Sequence, residues 1–498
     1  MSTKSPSLRE RIVRVLVSKW CWRVILGLFL LEALWFVFSA QYPMAFDENY
    51  HFGLIQLHAR QWLPYFTSQP NDAGAYGAVA RDPSYLYHWL MSYPYRLTTL
   101  FTHSQTAEII VLRLLNVAMF AGGIVLYRRL VRRLGASPAL TNSLFAVFVL
   151  IPVVPFLAAT INYDNLFFLA VPFSALLALR FMDGLEQRRV DAGLLLGLIA
   201  TWCLASLIKY PFLPVFGVAV LFLLWCLWRA RLLGRAGLKS FAASFRALSW
   251  LRRIVLVLAC VLAIGLFAER YAENAVSYHT PVPACNAVIS QDECLEYGPY
   301  SRNYNDAQVK PSSFHVNIFS YVWQWLWGMW FRLFFAINYN YDTQEPLLVI
   351  AWTAVVCAVL LGVGIIVRFK ALFGRQPARQ FILWITIGYA AALFADNLSA
   401  YAQTGQPVAI NGRYLVPFLP FVFVFGGIAW SQLLRRWQAA KVAVAVVVIA
   451  IFVLQGGGTM TFIVRSNDNW MWNNAAVRSV NRTVRRAASP LIIGKNVW

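Results

Sequence analysis

Long apolar runs separated by polar segments dominate the chain. Eleven of these runs match the roughly 17–25 residues that a helix needs to cross the hydrocarbon of a bilayer, and the short alternating segments of a β-barrel are not the pattern here. The runs lie at 24–41, 108–127, 139–159, 165–182, 192–209, 212–230, 254–271, 347–367, 380–398, 413–432 and 442–463. The pattern predicts an all-α polytopic membrane protein with about eleven transmembrane helices.

Two of the polar segments, residues 42–107 and 272–346, are too long to be simple connections. Each contains an aromatic stretch with few charges, 84–101 in the first and 319–335 in the second. Such stretches are typical of helices that lie at the membrane interface. Counting 319–335 as a further span would break the charge rule for the rest of the chain, so we predict interfacial helices. The tryptophans of 319–335 form an aromatic belt or line a groove for a lipid chain or sugar ring.

The net charge of +22 raises the question of nucleic acid binding. With the N-terminus inside, however, most of the 43 basic residues fall in inner loops such as 128–133 and 229–253. This positive-inside bias accounts for the basicity, so the sequence predicts a lipid bilayer partner and no nucleic acid. We expect a bacterial inner membrane protein with a cytoplasmic N-terminus, a membrane domain over 1–464 and a short periplasmic tail over 465–498.

Most acidic residues and two of the cysteines are predicted to lie at the outer face. Most of the 21 acidic residues fall on that side, where topology does not require them. Two of the seven cysteines, Cys285 and Cys294, share the second long loop, whereas the other five lie in or beside predicted spans. In an oxidising periplasm this pair is expected to form a disulfide.

The acidic motif AFDENYHF at 45–52 directly follows the first span. If it is helical, Asp47 and His51 share a face and Glu48 points about 100° away. A carboxylate at a dielectric boundary can act as a general base, and a neighbouring imidazole can orient it or bind a metal. The alternative is a helix cap with ordinary hydration.

Other predicted outer span ends also carry polar groups. TINYDN places Asn162 and Asp164 between the third and fourth spans, where an Asn/Asp turn with helix capping is the alternative interpretation. Lys209 ends the fifth span, either as a snorkelling anchor or as a phosphate contact.

Arg413 begins the tenth span in NGRYLVPFLP and is followed by Tyr414 and two prolines. A guanidinium fork suits a phosphate, although it could also pair with an acid such as Asp396. The sequence contains no Gly-rich phosphate loop, kinase motif or nucleophile elbow. These residues therefore favour an outer-face reaction on a lipid phosphate.

Five segments resemble motifs of a bacterial membrane family without assigned function that is grouped with the GT-C superfamily of membrane glycosyltransferases. They are FDENYHF, INYDN, LIKY, WGMWFRLFF and GRYLVPFLP. The resemblance covers most of the chain, and GRY followed by spaced prolines is its most specific part. It implies a GT-C-like fold and transfer of a sugar from a polyprenyl-phosphate donor to an acceptor hydroxyl at the periplasmic face. The acceptor would be an envelope polysaccharide, a glycolipid or a surface protein such as pilin.

The same resemblance assigns roles to residues. Asp47 is the expected general base of an inverting transfer, with Glu48 as its acidic neighbour. From the chemistry of the residues themselves, the groups expected to hold the substrate and its phosphate are Lys209, Arg413, Tyr414, His51, Asn162 and Asp164. A divalent cation held by Glu48, His51 and Asp164 is a further option, and no other cofactor is expected.

Two other functions stay open at this stage. A lipid-linked glycan polymerase or ligase would use a similar donor but transfer a whole glycan. A transporter or lipid flippase is suggested by Glu32 in the middle of the first span, because an acid at that depth is costly and often functional. The alternative for Glu32 is a buried hydrogen bond to a neighbouring helix.

Overall fold

The computed structural model describes residues 7–334, 336–337, 343–344, 346–465, 470–472 and 474–493. The helices of the first half are α1 (Leu8–Val17), α2 (Lys19–Ser39), α3 (Glu48–His58), α4 (Leu86–Thr99), α5 (Gln105–Arg133), α6 (Pro138–Val149), α7 (Val153–Ala159), α8 (Tyr163–Glu186), α9 (Ala192–Ile208), α10 (Phe212–Arg229), α11 (Arg235–Ala247) and α12 (Trp250–Phe267).

The second half continues α12 through a π-helical turn into α13. Its elements are α13 (Glu273–Tyr278), α14 (Cys285–Val288), α15 (Gln291–Glu296), α16 (Gly298–Gln308), α17 (Ile318–Phe334), the antiparallel pair β1 (Ala336–Ile337) and β2 (Thr343–Gln344), α18 (Leu348–Val367), α19 (Phe369–Phe373), α20 (Pro377–Thr404), α21 (Leu419–Leu433), α22 (Gln438–Leu454), α23 (Thr459–Arg465) and α24 (Ala475–Ala488).

Among the described residues, eight helices are long and apolar enough to cross a membrane. The bent pair of α6 and α7, which meet at 71°, would make a ninth. The apolar helices α9 and α21 fall at predicted spans but are shorter. The fold is thus helical and suited to a lipid bilayer, as predicted, while the count of about eleven spans stays a prediction.

Aromatic packing fixes the centre of the bundle, where α5 crosses α8. The rings of Phe120 and Phe168 stack with centroids 3.9 Å apart. Gly123 lies one turn further along α5, and a β-carbon there would come within 2.5 Å of the Phe168 ring. The close approach of the two helices therefore requires glycine at this position, and it brings the ends of α5 and α8 together.

Both predicted long loops lie at the same end of the bundle, which we call the Asp47 end. Arg270, in the π-helical turn that follows α12, is fully buried and donates from Nη1 to Ala80 O at 2.6 Å and from Nη2 to Tyr65 O at 2.7 Å. These bonds join the start of the second loop to the first. The disulfide between Cys285 and Cys294 is present, so that prediction is confirmed.

Short basic connections gather at the opposite end. Arg133 at the end of α5 pairs with Asp183 of α8, and Arg379 donates from Nε to Leu134 O at 2.9 Å. The two long loops thus lie at one end of the bundle and these basic connections at the other. The acidic and basic segments are separated in this way in the sequence prediction as well.

The aromatic stretches predicted to be interfacial are both helical. The stretch 84–101 contains α4 (Leu86–Thr99), and the part of 319–335 that the structure describes lies in α17. In α17, Tyr321, Trp325 and Met329 are buried, whereas Trp323 and Trp327 are exposed. One face of this helix therefore packs on the bundle and the other presents tryptophans outward.

Two further sequence predictions concern Glu32 and the residues of the C-terminal tail. Glu32 is buried in α2, where its carboxylate packs against Gly458 and its Oε2 makes no hydrogen bond within the described residues, so the buried hydrogen bond stays a prediction. In the predicted 465–498 tail, Met471 bridges to Ala40 and α24 follows. The other tail residues at 466–469, 473 and 494–498 lie outside the described residues.

Candidate functional site

The acidic motif begins with two residues in an unusual backbone conformation. Phe46 and Asp47 have φ values of 69° and 64°, a left-handed region that side chains with a β-carbon rarely adopt. Asn162 holds this turn by donating from Nδ2 to Phe46 O at 2.9 Å. Such strain persists only where the surrounding structure enforces it, and it is concentrated at functional sites.

Helix α3 begins one residue after Asp47, so Asp47 lies at the N-cap and not on the helix face expected from the pattern. Its side chain makes no capping hydrogen bond, which removes the helix-cap interpretation. The carboxylate is 63% exposed and lies 2.8 Å from the guanidinium of Arg413. Asp47 is therefore an accessible carboxylate held by a cation from a segment far away in the chain.

Glu48, in contrast, is fully buried and forms part of the fold. Its two oxygens accept from Nε and Nη2 of Arg113 at 2.8 and 2.7 Å. They also accept from the backbone of Met44 at 2.6 Å and of Ile161 at 3.2 Å. Because both oxygens are occupied and inaccessible, Glu48 cannot serve in catalysis as the acidic neighbour of Asp47 that the resemblance implied. It ties the first loop to α5 and to the turn before α8.

His51 is also buried, and its Nδ1 lies 2.8 Å from Nε2 of His88 on α4. The two rings are nearly parallel, and the His51 ring also contacts Tyr163 at 4.7 Å. Burial lowers the pKa of His51, and the charges of Arg413 and Lys209 lower it further. Burial likewise lowers the pKa of His88. The pair is therefore neutral at neutral pH and lies directly behind the Asp47 site.

Four charged side chains from four segments meet in front of this pair. We call Asp47, Asp164, Lys209 and Arg413 the charged quartet. Lys209 forms an ion pair with Oδ1 of Asp164, and Arg413 Nε lies 3.7 Å from Oδ2 of Asp164. The side chains of these three residues are only 1–5% exposed. The quartet thus consists of three buried charges and one accessible carboxylate.

The outcome differs for each predicted member. Lys209 is buried and its ammonium lies 4.4 Å from the Tyr414 ring centroid, so the snorkelling interpretation is wrong. Asn162 caps α8 by accepting from the Asp164 backbone at 2.9 Å, so the capping alternative is confirmed. Arg413 pairs with Asp47 and Asp164 in the described part of the chain, and the suggested partner Asp396 is not involved.

Three buried atoms of the quartet make no hydrogen bond within the described residues: Nε and Nη1 of Arg413 and Oδ2 of Asp164. Buried polar atoms are nearly always satisfied in folded proteins, and an unsatisfied one calls for a ligand or a functional role. Arg413 therefore offers two donors beside the accessible Asp47. A planar guanidinium with two available N–H groups is suited to a phosphate.

Helix α17 covers the arginine from one side. Gly412 packs directly on the Met329 backbone carbonyl, and a β-carbon at Gly412 would collide with it. Arg332, half-buried on the same helix, has its pKa lowered by burial and then by the charge of Arg413. A third cation thus lies near the quartet, and it belongs to the WGMWFRLFF motif whose role the sequence left open.

A metal held by Glu48, His51 and Asp164 does not fit this geometry. Glu48 is saturated by its bond donors, and His51 is directed at His88. Among the residues that the structure describes, no group of three or more His, Cys, Asp or Glu side chains has an arrangement suited to a metal ion. The donor set present is one of ion pairs with arginine and lysine.

Several residues of this region were not identified from the sequence: Arg113, His88, Arg332, Asp82 and Tyr297. Arg113 lies within an apolar span, and the spacing of residues in that span gives no sign that it faces Glu48. An arginine in such a span is itself a signal, since a buried charge in a membrane protein is paired or functional.

The chain matches no protein-family model, and no curated protein matches it either. What the structure establishes is a helical membrane protein whose charged side chains converge at one end of the bundle.

Proposed function

We propose that this protein is a membrane glycosyltransferase that moves a sugar from a polyprenyl-phosphate donor to an acceptor hydroxyl at the Asp47 end. The observation that carries the proposal is the accessible Asp47 carboxylate 2.8 Å from Arg413, whose Nε and Nη1 make no hydrogen bond within the described residues. This juxtaposition supplies a base and a phosphate-binding cation at one place.

In the proposed reaction, Asp47 removes the proton from the acceptor hydroxyl as its oxygen attacks the anomeric carbon. The bond from that carbon to the phosphate oxygen breaks, and polyprenyl phosphate leaves with inversion at the anomeric centre. Phosphate is already a good leaving group, so the site mainly needs a base and positive charge near the departing oxygen. Arg413 and Lys209 provide the positive charge.

The charges of the site suit a phosphodiester donor. Lys209 and Arg413 pair with Asp164 and Asp47, so the quartet itself carries no net charge. Arg413 still offers Nε and Nη1, which make no hydrogen bond within the described residues, to the single negative charge of a phosphodiester. Binding would satisfy these buried donors, so it costs little desolvation at that side chain.

The location belongs to the same proposal. We place the Asp47 end at the periplasmic face of a bacterial inner membrane, because the basic connections gather at the opposite end. The acceptor is an envelope polysaccharide, a glycolipid or a surface protein. A polymerase or ligase acting on a lipid-linked glycan would share the donor chemistry but transfer a larger group.

The direct test is sugar transfer by purified protein from labelled polyprenyl-phosphate sugars. Asp47→Asn should lower the transfer rate by about 10²–10⁴-fold, the usual contribution of a general base. Asp183→Asn is the matched control, because Asp183 is an exposed carboxylate at the opposite end of the bundle. Unchanged transfer by the Asp47 variant would refute the assignment. Movement of substrate across vesicles without release of lipid phosphate would favour a transporter.

A further inference from the structure

The second long loop reaches across to the acidic motif through its disulfide-closed segment. Helix α15 packs on the 3₁₀ turn Gly74–Tyr76, where a β-carbon on Gly74 would collide with the Glu296 carboxylate. Gly77 has a φ of 72°, and a β-carbon there would lie 3.0 Å from the ring of Tyr297. Two glycines of the first loop thus make room for the second loop, and this contact sets the position of Tyr297.

Tyr297 is held against the residue in the middle of the acidic motif. Its ring centroid lies 5.7 Å from that of Tyr50, with the two rings tilted by 33°. Tyr50 in turn contacts the His51 ring at 5.4 Å and the Tyr76 ring at 6.0 Å. Tyrosines from both loops thus form one aromatic wall beside Asp47.

A second carboxylate faces this wall. Asp82 accepts at Oδ1 from the backbone of Ser84 at 2.8 Å, and its Oδ2 accepts no hydrogen bond within the described residues. After burial, the charges of Asp82 and then Asp47 raise the pKa of Tyr297. Both carboxylates therefore lie close enough to act on the same phenol group.

This combination matches the chemistry of a sugar ring. A pyranose presents C–H groups on its faces, which pack on aromatic rings, and hydroxyl groups at its edge, which donate to carboxylates. The quartet, by comparison, matches a phosphate. The tyrosines with Asp82 lie next to the quartet, just as the sugar ring lies next to the phosphate in a sugar phosphate.

We propose that Tyr50, Tyr297 and Asp82 form the subsite for the sugar ring of the donor, with the rings stacking on the sugar face and Asp82 accepting from its hydroxyl groups. The inference rests on the proposed function, since it takes the donor phosphate to lie on Arg413. It assigns to the second loop the recognition of the sugar, whereas the quartet recognises the phosphate.

The test compares two ligands on purified full-length protein: a sugar-free polyprenyl phosphate, and a panel of polyprenyl-phosphate hexoses and pentoses. Wild-type protein should bind at least one sugar-bearing lipid more tightly than the sugar-free lipid. Tyr297→Ala and Asp82→Asn should each weaken binding of that sugar-bearing lipid by about tenfold or more and leave the sugar-free lipid within about twofold. Tyr297→Phe keeps the ring and should stay close to wild type.

Tyr304→Ala is the control for loss of a tyrosine, because Tyr304 belongs to the same loop but stacks on Tyr300. It should change neither affinity. Equal weakening of both lipids by Tyr297→Ala and Asp82→Asn, or no weakening of either, would overturn the subsite while leaving the proposed function standing. If wild-type protein binds no sugar-bearing lipid better than the sugar-free one, both the subsite and the proposed donor are wrong.

Discussion

The buried pair of Glu48 and Arg113 makes the sharpest prediction about stability. Both side chains have no exposed surface, and two charge-assisted hydrogen bonds of 2.8 and 2.7 Å join them. Arg113→Met removes these two bonds and a third to Ala40 O at 2.7 Å. It leaves the Glu48 carboxylate buried with only the Met44 and Ile161 amides as donors.

The magnitude follows from this contact list. Removing one partner of a buried ion pair typically costs about 3–5 kcal/mol, because the remaining charge is uncompensated. An unfolding entropy of about 2 cal/mol/K per residue gives a 498-residue chain roughly 1 kcal/mol per degree. The apparent Tm in detergent should therefore fall by about 3–5 °C in the variant.

The control is the exposed pair of Arg133 and Asp183, whose side chains are 29% and 57% exposed. Pairs of this kind contribute about 0.2–1 kcal/mol, so Arg133→Met should shift Tm by about 1 °C or less. The double variant Glu48→Gln/Arg113→Met should lose less than the two single variants combined, since the charge and its partner are removed together. If Arg113→Met lowers Tm no more than Arg133→Met, the structural role of Glu48 is wrong.

Three further predictions follow from other contacts. Burial lowers the pKa of His58 to about 4. As pH falls from 6.5 toward 4, the unfolded chain binds a proton at His58 and the folded protein does not, so the free energy of unfolding should fall by about 3 kcal/mol. A pH–stability profile of His58→Asn should lack this fall. Gly412→Ala should lower the free energy of unfolding by about 1–3 kcal/mol, because the added methyl group would collide with the Met329 carbonyl. Gly217→Ala is the control and should not lower it, because the space around Gly217 is open. Lys209→Met should strongly weaken binding of polyprenyl phosphate in a direct binding assay, because it removes one cation and leaves Asp164 with only Arg413, at 3.7 Å, as its counter-charge among the described residues; unchanged affinity would contradict the proposed phosphate site.

Periodicity and charge predict the helices of this protein well, for a physical reason. A bilayer-crossing helix must be apolar over its whole length, so its signal is strong and local. The bend between α6 and α7 is less visible, since Pro152 and Pro155 can end one helix or begin another. The shorter α9 and α21 show that a predicted run can exceed the helix that it forms.

The site was predicted by residue type more successfully than by role. Asp47, Lys209 and Arg413 stand at span ends, where an unmatched charge is conspicuous, and the structure brings them together. The motif alone could not separate Asp47 from Glu48, because the difference depends on Arg113. That partner is 65 residues away and becomes a neighbour only when α5 packs against α2 and α8.

Tyr297 and Asp82 show the same limit in the loops. Neither belongs to a recognisable motif, and their proximity depends on two glycines and a disulfide-closed segment that join loops far apart in the chain. Only the disulfide itself could be predicted, because two cysteines in one outer loop are a local signal.

The most direct test of the central claim is a structure of the protein with a polyprenyl-phosphate sugar bound. We expect the phosphate to lie within hydrogen-bonding distance of Nε or Nη1 of Arg413, with the anomeric carbon facing the Asp47 carboxylate. A lipid phosphate bound elsewhere, with the Asp47–Arg413 ion pair unchanged and no ligand beside it, would show that this site is not the donor site.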